Sequence, residues 1–219
     1  MIYHCNIRGF DSKSSSLKSI LETVQPNVVT LNETYYKNNK KLNIEGYVTF
    51  NRNRKNINGG GVATSVSQEH SKHTLKVKDG PNNDEYVINR HSQFKVPIHI
   101  VNVYGETESR TTNNEVEDRW YRVLTELKKI EYKGEHVVLL GDMNKHVGDI
   151  VNGNHEKVSL GGKLIREILK TKNMLNSTNK VKGCPLTRYK PAAPNDDDLK
   201  SCIDLIIISK ELLKYVEEV

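Results

Sequence analysis

The apolar residues of this chain come in short continuous runs and in helical stripes, separated by polar and glycine-rich segments. Continuous runs rich in β-branched residues are typical of strands that are covered on both faces. They predict strands at Val28–Leu31, Ile98–Val103 and Val137–Leu140. Apolar residues spaced three and four positions apart predict amphipathic helices. These stretches are Ser14–Val24, Val116–Ile130 and Lys163–Met174, the last of which follows the Gly161–Gly162 pair.

The segment GYVTFNRNRKNINGGGVATSV predicts a hairpin, because a glycine-rich turn separates two strand candidates. No helix follows the three glycines and no Lys-Ser/Thr completes a P-loop, so we interpret them as a turn rather than a phosphate cradle. Strands thus come singly and in hairpins, which favours an α/β fold with two packed sheets flanked by helices. Pro191–Asp198 predicts a surface loop.

Length and composition indicate one folded unit. We expect a single domain over residues 1–219, since the chain holds no internal repeat or low-complexity linker. No apolar stretch approaches the roughly 18 to 20 residues of a membrane span, and the opening MIYHCNIRGF does not resemble a signal peptide. We therefore expect a soluble, intracellular protein. The three cysteines lack metal-site spacing and are interpreted as reduced fillers.

The formal net charge of +6 is moderate, and the basic residues cluster in RNRKN, around Lys13 and in the stretch from Lys180 to Lys190. Such clusters are compatible with a polyanionic partner. Alone they are weak evidence, because many soluble domains are equally basic.

Polar side chains stand at the ends of apolar strands, where they leave the core. They are Asn6, Glu33, Tyr104, Glu106, Asp142, Asn144 and Asp204. Side chains delivered by separate strands to one rim are a usual way to assemble a site. Carboxylate and amide oxygens suit Mg²⁺, and no His or Cys cluster competes for zinc. A magnesium ion there would polarise a phosphoryl oxygen, while Asp142 and Asn144 would orient an attacking water.

The same residues resemble the endonuclease/exonuclease/phosphatase superfamily, and within it the apurinic-like endonuclease domain of non-LTR (LINE-type) retrotransposons. Six motifs carry the resemblance in the right order along the chain. They are NIRGF, LNET, GGGVATSV, NVYGE, LLGDMNKHVG and GCPLTR followed by KSCIDLIIIS. The resemblance implies a four-layer α/β/β/α sandwich of the DNase I-like type that lacks its last strand.

The resemblance also implies a role for each matching residue. Glu33 with Asn6 would bind Mg²⁺, for which Mn²⁺ can substitute, and Tyr104 would contact the scissile phosphate. Asp142 would activate the water, Asn144 would hold the water or the phosphate, and Asp204 would orient a histidine or support the metal. Residues implied to contact the substrate are Arg8, Arg52, Arg54, Thr187, Arg188 and Ser201.

The implied function is the nicking of double-stranded DNA to leave a 3′-hydroxyl that primes reverse transcription. The implied protein acts in the nucleus, is monomeric as an isolated domain, is natively fused to a reverse transcriptase and has no membrane partner. One departure from the family is that no histidine follows Asp204, where the family carries an Asp-His pair. The expected loss of such a transition-state contact is about 100-fold or more in rate.

Other interpretations stay open on the residues alone. Asn6 can cap a turn, Glu33 and Tyr104 can be solvated edge residues, and the Asp142/Asn144 pair can be an Asx turn. Asp204 can simply start a strand, and RNRKN can be a solvated loop. At the level of function, the alternatives are another phosphodiesterase or abasic-site nuclease of the superfamily, or a DNA-binding relic without turnover.

Overall fold

Each continuous apolar run of the sequence forms a strand, and each helical stripe forms a helix. The computed structural model describes residues 1–54, 59–81, 85–105, 112–150, 158–171, 173–178, 188–189, 200–201 and 203–216. The chain divides into two compact units, Met1–Tyr104 and Gly105–Val219. The prediction of a single domain stays a prediction.

The first unit begins with a mixed four-stranded sheet and a helix. Its elements are β1 (Ile2–Asn6), α1 (Phe10–Val24), β2 (Val28–Asn32), β3 (Tyr47–Arg52) and β4 (Val62–Ser67). The strand order is β1-β2-β4-β3, with β1 and β2 parallel and the other pairs antiparallel. The pairing of β3 with β4 confirms the predicted hairpin. Because Asn6 pairs with Asn32, the ends of β1 and β2 lie side by side.

Helix α1 covers one face of this sheet. Leu17 and Leu21 are buried against Val29 and Leu31, as the helical stripe predicts. Ile20, which belongs to the same stripe, is 39% exposed. The helix begins four residues earlier than predicted, because Phe10 is also buried in this core and extends the apolar face by a turn.

The first unit continues with α2 (Gln68–Ser71) and an antiparallel ribbon of β5 (Thr74–Asp79), β6 (Glu85–His91) and β7 (Ile98–Tyr104). Buried amides tie this ribbon to the mixed sheet. Asn32 Nδ2 donates to Asn102 Oδ1 at 2.8 Å, and Asn102 Nδ2 donates to the Ala63 carbonyl at 2.9 Å. These bonds satisfy polar groups that would be costly to bury unpaired, and they fix β7 against β2 and β4.

The second unit contains α3 (Asn113–Tyr132), β8 (His136–Asp142), α4 (Leu160–Thr171), β9 (Met174–Asn176), β10 (Arg188–Tyr189), β11 (Lys200–Ser201) and β12 (Asp204–Ser209). Short 3₁₀ helices occupy Gly148–Ile150 and Lys210–Tyr215. Strand β12 pairs antiparallel with both β8 and β9. A capping box of Thr112 and Glu115 starts α3, whose buried face includes Trp120, Val123 and Leu127 as predicted.

The third predicted helix differs from the structure at both ends. Helix α4 contains the Gly161–Gly162 pair instead of following it, and Met174 begins β9 instead of ending the helix. Met174 pairs with Ser209 on β12, so sheet pairing determines its conformation. None of the described helices is long and apolar enough to cross a membrane.

His91 makes the first unit sensitive to acid. Burial, with His99 and His70 nearby, lowers the pKa of His91 to about 4. Below pH 6.5 the His91 imidazole is protonated in the unfolded chain, whereas in the folded chain it is protonated only at about pH 4. The free energy of unfolding should therefore fall by about 3 kcal/mol across this window. Denaturant titrations from pH 7 to pH 4 should show a shallower decline for His91→Asn, and an equal decline would contradict this account.

Candidate functional site

The carboxylate of Glu33 is the centre of the candidate site in the first unit. Asn6 Nδ2 donates to Glu33 Oε1 at 2.8 Å, and the Tyr104 hydroxyl donates to the same oxygen at 3.1 Å. The Tyr35 hydroxyl donates to Oε2 at 2.8 Å. The structure thus brings together Asn6, Glu33 and Tyr104, which the sequence predicted, and adds Tyr35. Because an ionised carboxylate offers roughly four lone-pair positions, these bonds from described residues leave about one for a further ligand.

The segment Glu33–Tyr35 is held by backbone hydrogen bonds on both sides. Gly9 N donates to the Glu33 carbonyl at 2.8 Å, and Thr34 N and Tyr35 N donate to the carbonyls of Gly61 and Gly60 at 3.1 and 2.8 Å. Glu33 and Tyr35 have φ values of 53° and 61°, in the left-handed region that non-glycine residues rarely adopt. Such conformations persist only where the surrounding structure imposes them. The bonds on either side of the segment supply that constraint.

Arg54 differs from its predicted role as an exposed phosphate contact. Its guanidinium is buried and forms an ion pair with Glu85 at 2.7 Å. The guanidinium carbon also lies 5.9 Å from the centre of the Tyr104 ring. The basic run RNRKN therefore contains a buried residue, because Glu85, 31 positions along the chain, supplies the opposite charge. Arg52 of the same run is half-buried on β3.

A second group of predicted residues lies at the ends of β8 and β12, in the second unit. Asp142 is buried, and its Cα is paired with that of Asp204 across the two strands. Asp142 Oδ1 accepts a hydrogen bond from Asn144 N at 3.0 Å, which is an Asx-type turn. Asn144 Nδ2 donates to the Gly105 carbonyl at 2.8 Å, and its φ is 47°. The structure brings Asp142, Asn144 and Asp204 together; that they meet the first group stays a prediction.

The start of α4 is docked on the loop that follows Asn144. Ser159 N donates to the His146 carbonyl at 2.9 Å, and Ser159 Oγ accepts from Gly162 N at 3.2 Å. A Cβ on Gly162 would collide with the His146 carbonyl, and one on Gly161 would collide with the buried stem of Lys145. The two glycines are therefore required by close packing, which explains why they lie inside the helix.

Three further predicted contacts, Arg8, Arg188 and Ser201, belong to the described part of the chain. Arg8 is exposed, and its backbone N–H donates to Asn6 Oδ1 at 3.3 Å. Arg188 and Ser201 are register partners on β10 and β11, so their backbones lie opposite one another. Predicted features outside the described residues are Thr187, Glu106, two of the three cysteines (Cys184 and Cys202) and the loop Pro191–Asp198.

The donor set in the first unit fits a hard divalent cation. Glu33 and Asn6 offer carboxylate and amide oxygens, and Mg²⁺ is usually held in proteins by one or two such groups plus waters. Within the described ranges, no cluster of three or more His, Cys, Asp or Glu side chains could hold a metal ion.

The architecture is an α/β fold in which strands of each unit are bounded by polar side chains. The chain belongs to the Endonuclease/Exonuclease/phosphatase family, whose model matches residues 4–219. No curated protein sequence matches the chain significantly. The family membership confirms the superfamily that the six sequence motifs predicted.

Three solved structures illustrate the similarity of the fold. The catalytic domain of Xenopus laevis APE2 is 16% identical, with a TM-score of 0.77 over 97% of this chain and 83% of that chain. The 3′-5′ exonuclease NExo from Neisseria meningitidis is 20% identical, with a TM-score of 0.71 over 96% and 87%. The endonuclease domain of TRAS1, a telomere-specific non-LTR retrotransposon, is 14% identical, with a TM-score of 0.69 over 97% and 86%. These likenesses confirm the predicted DNase I-like α/β fold.

The packing of α4 on the loop after Asn144 generates a stability prediction. Gly162→Ala should destabilise the protein by about 2 kcal/mol or more, although alanine is the better helix former by about 1 kcal/mol, because the new methyl group meets a backbone carbonyl. Chemical denaturation measures the change. Lys163→Ala, at the exposed neighbouring position, should change stability by less than about 0.5 kcal/mol. Equal effects of the two variants would contradict the docking described here.

Proposed function

We propose that this protein is a Mg²⁺-dependent endonuclease that cleaves phosphodiester bonds in double-stranded DNA. The observation that carries the proposal is the Glu33 carboxylate, which Asn6, Tyr35 and Tyr104 hold in a fixed orientation at the end of β2. Membership of the Endonuclease/Exonuclease/phosphatase family supports phosphate-ester chemistry. An oxygen-donor carboxylate in this setting suits Mg²⁺.

Glu33 and Asn6 would hold the cation. When bound, Mg²⁺ polarises a phosphoryl oxygen and offsets negative charge on the leaving oxygen. Tyr104 already places its hydroxyl 3.1 Å from Glu33 Oε1, so we assign it the contact with the scissile phosphate next to the metal. The hydroxyl carries one hydrogen, so on substrate binding it would turn from Glu33 Oε1 to donate to a phosphate oxygen, which adds no charge.

Asp142 is the residue that we assign to the attacking water. Its carboxylate is buried and oriented by Asn144 N, and we propose that it takes a proton from the water as the oxygen of that water bonds to phosphorus. Asn144 is itself fixed by its bond to the Gly105 carbonyl, and its amide would hold the water or the phosphate. We assign Asp204 a supporting role because its backbone pairs with that of Asp142.

The reaction breaks the bond from phosphorus to the 3′ oxygen and leaves a 3′-hydroxyl and a 5′-phosphate. A nick with a 3′-hydroxyl is a primer for reverse transcription, so we propose that the domain serves retrotransposition in the nucleus, as part of a protein that includes a reverse transcriptase. The structural likeness to the endonuclease domain of the TRAS1 retrotransposon supports this role. We propose that the isolated domain is a monomer.

The catalytic assignment predicts loss of nicking in two conservative variants. Glu33→Gln and Asp142→Asn should each lower the rate of supercoiled plasmid nicking in Mg²⁺ by about 100-fold or more, because each removes a charge that the reaction uses. Thermal unfolding should show that both variants remain folded. Wild-type nicking by either folded variant would refute its assigned role.

The substrate class is tested with matched duplexes. Intact duplex and duplex with one abasic site should be cut at comparable rates by an endonuclease of the proposed type. Strong preference for the abasic duplex would instead assign the chain to repair-type nucleases. DNA binding without cutting by the wild-type protein in Mg²⁺ would contradict the enzymatic proposal and favour a binding module.

Arg8 and Arg52 are proposed contacts with the DNA backbone, since Arg8 is exposed beside Asn6 and Arg52 is half-buried on β3. If each neutralises one phosphate, Arg8→Gln and Arg52→Gln should each reduce the slope of log affinity against log salt by about 0.9. Fluorescence anisotropy with a labelled duplex, from about 50 to 200 mM salt, measures this. Lys163→Gln, on α4, serves as the control and should leave the slope unchanged. If the slopes of all variants equal that of the wild type, neither arginine contacts a DNA phosphate.

A further inference from the structure

We propose that the buried Arg54–Glu85 ion pair positions Glu33 for metal binding by supporting both tyrosines that hold its carboxylate. This inference rests on the proposed function, in which Glu33 is a metal ligand. Arg54 and Glu85 are positioning residues, since their described contacts are with other protein groups. Two routes lead from the pair to the two oxygens of Glu33.

The first route runs through Arg54 and Tyr104. The Arg54 guanidinium lies 5.9 Å from the centre of the Tyr104 ring, and Glu85 is the register partner of Tyr104 on the neighbouring strand. A guanidinium over a tyrosine ring is attracted by the electrons of the ring, more strongly when both are shielded from water. The Tyr104 hydroxyl donates to Glu33 Oε1. The position of the guanidinium therefore influences the donor to this oxygen.

The second route runs through Glu85 and the glycine turn. Glu85 Oε1 accepts a hydrogen bond from Gly61 N, while its Oε2 binds Arg54. The carbonyls of Gly60 and Gly61 accept bonds from Tyr35 N and Thr34 N. The Tyr35 hydroxyl then donates to Glu33 Oε2 at 2.8 Å. The Glu85 carboxylate thus neutralises Arg54 and also binds the glycine turn. That turn accepts the backbone hydrogen bonds of Thr34 and Tyr35, the two residues after Glu33.

The glycine turn is shaped to receive this ion pair. Gly60 and Gly61 have φ values of 65° and 87°, which favour glycine. A Cβ on Gly60 would occupy the space of the Arg54 and Glu85 side chains, and a Cβ on Gly61 would meet Thr34 Oγ1. The Tyr35 ring is confined as well, since a Cβ on Gly9 would lie 3.2 Å from it. Because there is little free space around the glycine turn, a shift of the Arg54–Glu85 pair would also move the segment that carries Glu33.

The nature of the pair also favours a positioning role. Both side chains are almost fully buried, and a buried ion pair is often no more stabilising than apolar residues of similar volume. Its hydrogen bonds are directional, however, and each partner has at least two described contacts that fix its orientation. A geometric role therefore explains the pair better than a contribution to stability does.

The test compares metal affinity in four variants by isothermal titration calorimetry with Mg²⁺ alone. Glu85→Gln should weaken Mg²⁺ binding about tenfold, and Tyr35→Phe about threefold, in line with the effects of residues that orient metal ligands. Because the route from Glu85 to Glu33 Oε2 runs through the Tyr35 hydroxyl, the loss in Glu85→Gln already includes that in Tyr35→Phe, and the double variant should stay near tenfold rather than the thirtyfold of independent effects. Val87→Ala, a core truncation on the same strand, should leave the affinity unchanged.

Some outcomes would overturn the inference. They are wild-type affinity in folded Glu85→Gln, an equal loss in Val87→Ala, or multiplicative effects in the double variant. If circular dichroism shows that Glu85→Gln does not fold, Arg54→Lys replaces it, since it keeps the buried charge and removes the planar guanidinium. Unchanged affinity in both Arg54→Lys and the half-exposed Tyr35→Phe overturns the inference equally.

A metal-free measurement separates this inference from the proposed function. Amide hydrogen exchange at Thr34 and Tyr35, whose N–H groups are bonded to the glycine turn, should be at least about tenfold faster in Glu85→Gln than in Val87→Ala. Equal rates overturn the positioning role whatever the metal does. A wild-type protein that binds no Mg²⁺ while exchange responds as expected would overturn the metal function and retain the link from the ion pair to the Glu33 segment.

Discussion

The candidate chemistry of this protein depends on one carboxylate being held at the end of a strand. Glu33 accepts hydrogen bonds from Asn6, Tyr35 and Tyr104, which are 27, 2 and 71 positions away in the sequence. The distant donors arrive only when β1 has paired with β2 and β7 has packed on the mixed sheet. The placement of the carboxylate is therefore a product of the folded first unit and not of its local sequence. A ligand oriented in advance pays less ordering entropy when it binds a cation.

Backbone strain accompanies this placement. Of the six described non-glycine residues with positive φ, four are predicted site residues or adjoin them: Arg8, Glu33, Tyr35 and Asn144. Conformations of this kind cost of order 1 to 3 kcal/mol each and survive where neighbouring bonds impose them. The paired bonds around Glu33–Tyr35 and the Asx turn at Asp142 are such constraints. Strain concentrated at both groups of residues is consistent with a functional use of each.

Strand ends explain why much of the candidate site could be predicted from the sequence. An apolar run that is bounded at either end by a carboxylate or an amide places that side chain at the sheet edge, which is how the sequence indicates Asn6, Glu33, Asp142 and Asp204. The motif order then identified the family, and the family fixed the fold class. Tyr35 was missed, although it lies only two residues after Glu33, because nothing in an exposed tyrosine shows where its hydroxyl is directed.

Features that depend on a distant partner could not be predicted. Arg54 was interpreted as part of a basic surface loop, because sequence alone does not reveal that Glu85 neutralises it in the interior. Gly161 and Gly162 were interpreted as a boundary, since helix propensity disfavours glycine, whereas tertiary packing on Lys145 and His146 requires them. In each case a contact between segments that are distant in the sequence determines the structure, and the local sequence pattern predicts a different one.

Whether Glu33 is a metal ligand can be measured by anomalous diffraction from crystals soaked in Mn²⁺. We expect a peak bonded to the Glu33 carboxylate, within reach of the Asn6 amide oxygen, and no such peak in Glu33→Gln crystals. An ordered Glu33 that keeps its hydrogen bonds to Asn6, Tyr35 and Tyr104 in the presence of saturating Mn²⁺, with no peak beside it, would contradict the account.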